Sequence, residues 1–383
     1  MKKIMTIIGA RPQIIKAAAI SRALNKLYAN EIEELIVHTG QHYDENMSAV
    51  FFEELGIPKP FAQLSIGSSS HGDQTGAMMR DLEHLMIKHS PDAVIVYGDT
   101  NSTLAGSLAA SKIGIPVIHI EAGLRSFNKA MPEEINRIMT DHVSTLLFSP
   151  TKQGITNLQR EGFSLSLDGK ATIDHPKTYH CGDIMHDNSL HFSTLAEQQS
   201  TLLAELGCKG KPFILATVHR NTNTDDPLRL QAIFRGLLTI AQTHQLDMVL
   251  PLHPRTRKYL EQTADHDFLE QLSAAPGIHL IDPVGFLDMI ALEQQASLVV
   301  TDSGGVQKEA YFFRKPCIVL REETEWVELI ETGAAVLTGA DETKLIEAAN
   351  RFLQHPPEAF PEIFGDGKAS EFICTTISEE LFQ

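Results

Sequence analysis

Residues 93–125 read AVIVYGDTNSTLAGSLAASKIGIPVIHIEAGLR. The run Ala93 to Tyr97 is short, wholly apolar and bounded by Asp92 and Gly98, the pattern of a parallel strand buried on both faces. A helical pattern from Ser102 to Lys112 follows, long enough for a crossover, and Pro116 to Ile120 is a second apolar run. This β-α-β unit sets the fold class as α/β with a parallel sheet.

The same alternation extends in both directions. Lys3 to Ile8, Glu34 to His38 and Leu146 to Ser149 read as further strands, with a helix from Ile14 to Leu27. The pattern weakens over the polar stretch 164–176, and a short strand at Thr178 to Cys181 follows. A second series then begins: Phe213 to Thr217, Met248 to Leu252, Ile278 to Ile281, Leu298 to Thr301 and Cys317 to Leu320. With 383 residues, above the soft limit of one core, two doubly wound domains are expected, 1–170 and 171–360, with a cleft between them. Residues 361–383 follow a Pro-rich turn and are expected to form a helix packing back on the first domain.

Composition narrows the function classes. Hydrophobic content of 43% and charged content of 21% suit a globular chain rather than a disordered or fibrous one. No apolar run approaches the ~18 residues of a membrane span, and the start runs directly into a strand with no cleavage pattern, so a cytoplasmic location is expected. A net charge of -17 argues against nucleic-acid and anionic-membrane partners. Cys181, Cys208, Cys317 and Cys374 show no metal-like or disulfide spacing and read as packing residues.

Ligands of doubly wound sheets bind beyond the carboxyl ends of the strands, so the residues after each run carry the functional information. The first run leads to Gly9-Ala10-Arg11-Pro12 and Lys16, two cations where a helix begins, suited to an anion; a Pro-initiated helix with solvated charges explains the turn equally well. It is not a G-x-G-x-x-G fingerprint, and no dinucleotide cofactor is indicated. Asp99 and Glu121 end neighbouring strands, and Glu133 and Glu134 open a helix after Pro132. Taken alone, Glu133 and Arg137 read as an ion pair four residues apart; with Asp99 and Glu121 they form a carboxylate set able to move protons.

In the second series, His219 and Arg220 follow one strand, and His253 and Arg255 another. Without an acidic ligand cluster they read as phosphate contacts, and no metal is expected. Thr301-Asp302-Ser303-Gly304-Gly305 opens backbone N–H groups to a phosphate at a helix start, and Glu309 one turn on is placed to accept ribose hydroxyls.

Together these segments resemble the non-hydrolysing UDP-N-acetylglucosamine 2-epimerase family, from Gly9 to about Gly339. The marks are Gly-Ala-Arg-Pro, Gly40-Gln41-His42, Gly98-Asp99-Thr100, His119 to Arg125, Pro132 to Arg137 and Asp302-Ser303-Gly304-Gly305. The resemblance implies a GT-B-like pair of Rossmann domains, a homodimer, no cofactor, and inversion at sugar C2 by elimination and re-addition of UDP. By motif position it implies catalytic roles for Asp99, Glu121, Glu133 and His219, and UDP contacts for Arg11, Lys16, Ser303, Gly305 and Glu309. Arg137, His253, Arg255 and Gly304 are added to the substrate-binding set from their place on these turns, and Gln41 and His42 fall in the family's regulatory region. The compact segment 122–132, and Trp326 where Arg is common, are similar to the branch acting on UDP-2,3-diacetamido-2,3-dideoxyglucuronate. UDP-N-acetylglucosamine is the alternative substrate. A GT-B glycosyltransferase and a silent nucleotide-sugar sensor are the readings from other classes.

Overall fold

The computed structural model describes residues 1–41, 56–67, 69–263 and 265–383. The chain divides into two compact units, one comprising Met1–Asn188 and Glu362–Gln383, the other Ser189–Pro361.

The first unit is built on β1 (Lys2–Ile8), β2 (Ile32–His38), β3 (Ala62–Gln63), β4 (Ala93–Tyr97), β5 (Val117–Ile120), β6 (Leu146–Ser149) and β7 (Lys177–His180). They form one parallel sheet in the order β3-β2-β1-β4-β5-β6-β7. Every residue of β4 is fully buried, as a strand covered on both faces requires. On one face Met78, Leu82 and Met86 of the helix His71–His89 and Ala105 and Ala109 of the helix Asn101–Lys112 pack on Met5, Ile7, Val94 and Val96. Each large apolar side chain withdrawn from water there contributes roughly 1.5–3 kcal/mol.

The second unit contains β8 (Phe213–Thr217), β9 (Asp247–Pro251), β10 (Ile278–Ile281), β11 (Leu298–Thr301), β12 (Cys317–Val319) and β13 (Ala335–Leu337). Their order, β10-β9-β8-β11-β12-β13, is again parallel throughout. Counted from the first strand of each unit, the second sheet runs 3-2-1-4-5-6 and the first runs in the same order with a seventh strand added at the end, the doubly wound order with a switch point between strands one and four. Those points lie between β1 and β4 in the first unit and between β8 and β11 in the second. β13 and the two-residue β3 escape the sequence reading because each is too short to carry a period.

The division of the chain differs from the expected break at 170/171. β7 pairs with β6 residue by residue, Leu146 with Lys177 through Ser149 with His180, so it extends the first sheet. The boundary instead falls at 188/189, inside the helix Ile184–Gln199. The C-terminal segment belongs to the first unit from Glu362 onward. Its helix, Ala369–Ile377, packs on the helix Arg11–Tyr28 and receives an N-terminal cap from Asp187, whose carboxylate accepts from the N–H of Ala369 (3.1 Å) and of Ser370 (2.8 Å). Glu380 accepts from Lys177 (2.7 Å) and Tyr179 (2.7 Å), tying the end of the chain to the outermost strand.

Candidate active site

At the switch point of the first unit the turn after β1 and the turn after β4 are joined by one buried side chain. Gln13 Oε1 accepts from the N–H of Gly9 (2.8 Å) and Ala10 (3.2 Å), while its Nε2 donates to the Tyr97 carbonyl (2.9 Å) and to Thr103 Oγ1 (2.9 Å). All four polar capacities of the amide are used, and both turns are held to one geometry. Sequence reasoning passed over Gln13, since a lone Gln in a helix has no signature.

Lys16, one turn further along the same helix, forms an ion pair with Glu121 at the end of β5. Glu121 itself sits at φ +77°, a left-handed conformation that costs a non-glycine residue about 1–2 kcal/mol. Such backbone strain persists only where the surrounding contacts hold the residue in place. Gly98, at φ +62°, makes room for this pair: a Cβ there would stand 3.2 Å from Glu121 Oε2 and 3.6 Å from Lys16 Nζ.

Asp99 is paired with Arg137, whose other nitrogen donates to Glu134 Oε2 (2.6 Å). Burial pushes the Asp99 carboxyl above its ordinary range; Arg137 and Lys16 oppose that, and Glu121 reinforces it. Asp99 and Glu121 are therefore neighbouring acids in unlike settings, one held up by burial and one against an ammonium group, the arrangement that separates an acid from a base.

The expected pairing of Glu133 with Arg137 is not formed. Glu134, one residue on, is buried and accepts from Arg137 and from the backbone N–H groups of Ser126 (2.9 Å) and Phe127 (3.0 Å). That loop demands an acceptor, and Arg137 is drawn to the same carboxylate. Glu133 stands exposed in the first turn of the helix Pro132–His142.

Behind this rim lies a fully buried network. His119 Nδ1 is 2.7 Å from Asp141 Oδ1 and its Nε2 is 2.8 Å from the Gly98 carbonyl oxygen. Asp141 Oδ2 also accepts from Gly123 N (3.2 Å) and Arg125 (2.7 Å), and Arg125 is clamped by Glu161. Burial would raise Asp141, but His119 and Arg125 outweigh it and hold the carboxyl below its usual range. The network joins the turn before Asp99 to the turn after Glu121.

In the second unit the corresponding organiser is Asp302, at the end of β11. It is fully buried and accepts from the backbone N–H of His219 (3.1 Å) and Arg220 (3.0 Å) and from Asn223 Nδ2 (3.1 Å). His219 Nδ1 lies 3.1 Å from the same carboxylate. Burial alone would raise this carboxyl; His219, Arg220 and Asn223 more than compensate and keep it low. With Nδ1 directed at Asp302, the outer nitrogen of His219 is left for a ligand. The motif displays Asp302, yet its role as the orienter of His219 is a tertiary fact.

Ser303 caps the helix Gly304–Phe312, its Oγ accepting from Val306 N (3.4 Å). The first intrahelical bond runs from Gln307 N to the Ser303 carbonyl, so the N–H groups of Gly304 and Gly305 stand ahead of it. A Cβ on Gly305 would meet only Ser303 Oγ at 3.8 Å and Glu309 Oε2 at 3.9 Å, which places backbone, hydroxyl and carboxylate around one open spot. Gly304 has no such room: Glu325 Oε1 overlies it, with Trp326 Nε1 at 3.8 Å. Trp326 and Lys308 are both buried and stacked, the ammonium 4.1 Å from the ring centroid.

Other expected positions fall differently. Arg255 is bound through one nitrogen to both Asp225 oxygens (2.6 and 2.7 Å), so its charge is already matched, and exposed His253 accepts from Arg255 N (3.2 Å). Arg11 is exposed at the start of its helix. Gln41 is buried and accepts from the N–H (3.0 Å) and Oγ (2.7 Å) of Ser102; His42 lies outside the described residues. No helix among the described residues is long and apolar enough to cross a membrane.

The family model described as UDP-N-acetylglucosamine 2-epimerase matches residues 25–378. The chain belongs to this family. Within it, the chain is 49% identical over 377 residues to the UDP-2,3-diacetamido-2,3-dideoxy-D-glucuronate 2-epimerase of Pseudomonas aeruginosa, covering 98% of this chain and 99% of that protein. The crystal structure of the Methanocaldococcus jannaschii UDP-GlcNAc 2-epimerase in complex with UDP-GlcNAc and UDP superposes with a TM-score of 0.83 at 41% identity, covering 98% and 99% of the two chains. The Neisseria meningitidis UDP-GlcNAc 2-epimerase bound to UDP-GlcNAc gives a TM-score of 0.82 at 30% identity, covering 98% and 100%. This 2-epimerase family member thus has the α/β fold of those GT-B-like structures, each of its two units built on one parallel sheet.

Proposed function

We propose that the chain is a UDP-sugar 2-epimerase acting on UDP-2,3-diacetamido-2,3-dideoxyglucuronate, inverting C2 by eliminating UDP with the C2 proton and adding UDP back at C1 while a proton returns to the opposite face of C2. The observation that carries this reading is the placement of Asp99 and Glu121 as neighbouring carboxylates in unlike electrostatic settings. Removal of the C2 proton needs a base, and return of a proton to the opposite face needs an acid, which such a pair supplies. Glu133 completes the set as a third, exposed acid.

The second unit supplies the anion chemistry in this proposal. Ser303, Gly304 and Gly305 present a helix start to the diphosphate, Glu309 takes the ribose hydroxyls, and His219, oriented by Asp302, stabilises charge on the departing phosphate. Lys16, Arg11 and Arg137 add cations in the first unit, and His253 and Arg255 add theirs in the second. No redox step occurs, because the proton and UDP that leave are both returned.

The choice of substrate rests on the 49% identity to the P. aeruginosa enzyme and on Trp326, buried against Lys308 where Arg is common in the family. UDP-N-acetylglucosamine is the competing substrate, favoured by the jannaschii relative. We further propose a cytoplasmic homodimer, tested by light scattering on the purified chain. The deciding experiment is incubation in D₂O with each sugar nucleotide, followed by NMR at C2. Deuterium and the manno epimer from the diacetamido-uronate support the proposal; neither product from either sugar overturns the epimerase reading.

A further inference from the structure

Far from the rim that carries Ser303 and Glu309, the amino-terminal edge of the second sheet gathers three ligand-type side chains. Cys208 lies in the loop before β8 and is fully buried, Asp247 is the first residue of β9, and His279 is the second residue of β10. The three segments are brought together by sheet pairing, Phe213 with Asp247 and His279 with Val249. One donor atom from each lies within 4.8 Å of the others.

We propose that Cys208, Asp247 and His279 form a site for a thiophilic divalent transition-metal ion of the zinc class. The distances favour coordination over direct bonding. His279 Nε2 is 3.5 Å from Asp247 Oδ1 and 3.9 Å from Cys208 Sγ, too long for a good N–H···O bond in the first case and at the far limit of a contact in the second. Metal–ligand lengths of about 2.0–2.3 Å place donors at the corners of a tetrahedron about 3.3–3.8 Å apart, close to the two separations that His279 makes, and Cys208 and Asp247 lie within 4.8 Å of each other. A single imidazole nitrogen facing both a thiol and a carboxylate is what a shared central cation requires. A thiolate, a carboxylate and an imidazole match zinc in ligand type, and three protein ligands leave the fourth position to water.

On binding, the Cys208 thiol gives its proton to solvent and the thiolate and carboxylate neutralise the ion. The site sits at the opposite end of the strands from the nucleotide-binding turn, so its role is to fasten the loop 206–212 to the starts of β9 and β10, with no part in the sugar chemistry. It is independent of the substrate proposal.

The test uses the full-length protein, stripped with a chelator and titrated with Co²⁺ and then Zn²⁺. The site predicts a thiolate-to-cobalt charge-transfer band saturating at one equivalent, bleached by Zn²⁺, and a rise in melting temperature with either ion. Cys208→Ser, a near-isosteric change, should remove the band and the zinc-dependent rise while epimerase activity shows the protein intact. His279→Gln should keep the thiol but weaken Co²⁺ at least as much as the roughly 10–100-fold cost of losing a mere outer-shell partner. No charge-transfer band in the wild type, or a band of equal strength in Cys208→Ser, overturns the proposal.

Discussion

His119 and Asp141 are in contact at 2.7 Å with no exposure to solvent, and the other nitrogen of the same imidazole reaches the Gly98 carbonyl. Asp141 is surrounded by donors, from His119, Gly123 and Arg125. In Asp141→Asn the new amide N–H groups would face the N–H donors of Gly123 and Arg125, and Arg125 would lose a buried counter-charge. Breaking a buried pair of this kind costs about 3–5 kcal/mol, measurable by urea denaturation. A loss below about 1 kcal/mol would show that the network is not held together by this carboxylate.

Stability should respond to acid with one sign at Asp141 and Asp302 and with the opposite sign at Asp99. Asp141 and Asp302 are depressed in the folded state, so their contributions are fully present above the unfolded value near 3.9 and fade as pH falls through their lower native values. Asp302→Asn should therefore flatten the acid limb of a stability-versus-pH curve.

Asp99 is raised, so its ionised form weakens folding above its native value and makes no difference below the unfolded one. Asp99→Asn is expected to be at least as stable as the wild type at pH 7, to lose that advantage below about pH 4, and to be inactive. Parallel thermal melts and C2-exchange assays check both halves; a variant clearly less stable than the wild type at pH 7 contradicts the sign.

The strain at Glu121 is separable from its chemistry. Glu121→Ala and Glu121→Gly both remove the carboxylate and should lower turnover by about 10²–10⁴. Only glycine adopts φ +77° freely, so Glu121→Gly should be more stable than Glu121→Ala by about 1–2 kcal/mol. Equal stabilities would show that the backbone relaxes once the ion pair to Lys16 is gone.

At Gly305 the added methyl of Gly305→Ala meets nothing closer than 3.8 Å, so the protein should fold, with a helix start no weaker than before. The same methyl occupies the place where a phosphate would approach the N–H groups. Isothermal titration with UDP should show at least about a tenfold loss of affinity, equivalent to 1.4 kcal/mol. Unchanged affinity would place the diphosphate elsewhere.

The strands and the residues at their ends are legible because a strand buried on both faces advertises itself as a short apolar run. β4 and Asp99, β5 and Glu121, and β11 and Ser303 were all found this way. β7 falls on the other side of the expected junction because the polar stretch 164–176 before it reads as a break between domains, whereas it is a connection within the first sheet; Lys177 and Tyr179 of β7 are satisfied by Glu380, about two hundred positions away. The same limit hid Gln13, whose partners come from two turns, and exchanged Glu134 for Glu133, since only the fold shows which of two adjacent acids faces the loop at Ser126. Helical spacing allows Arg137 to reach either; burial decides.

The return of residues 362–383 to the first unit has a consequence for biosynthesis. The ribosome releases the second unit whole while the first still lacks its last helix, so the order of completion is the reverse of the order of synthesis. Until Ala369–Ile377 emerges, the part of the helix Arg11–Tyr28 on which it packs is uncovered and Asp187 has no helix end to cap. A chain that stops at Pro361 would present a finished second half joined to a sticky first one, a species for chaperones and proteases rather than for catalysis.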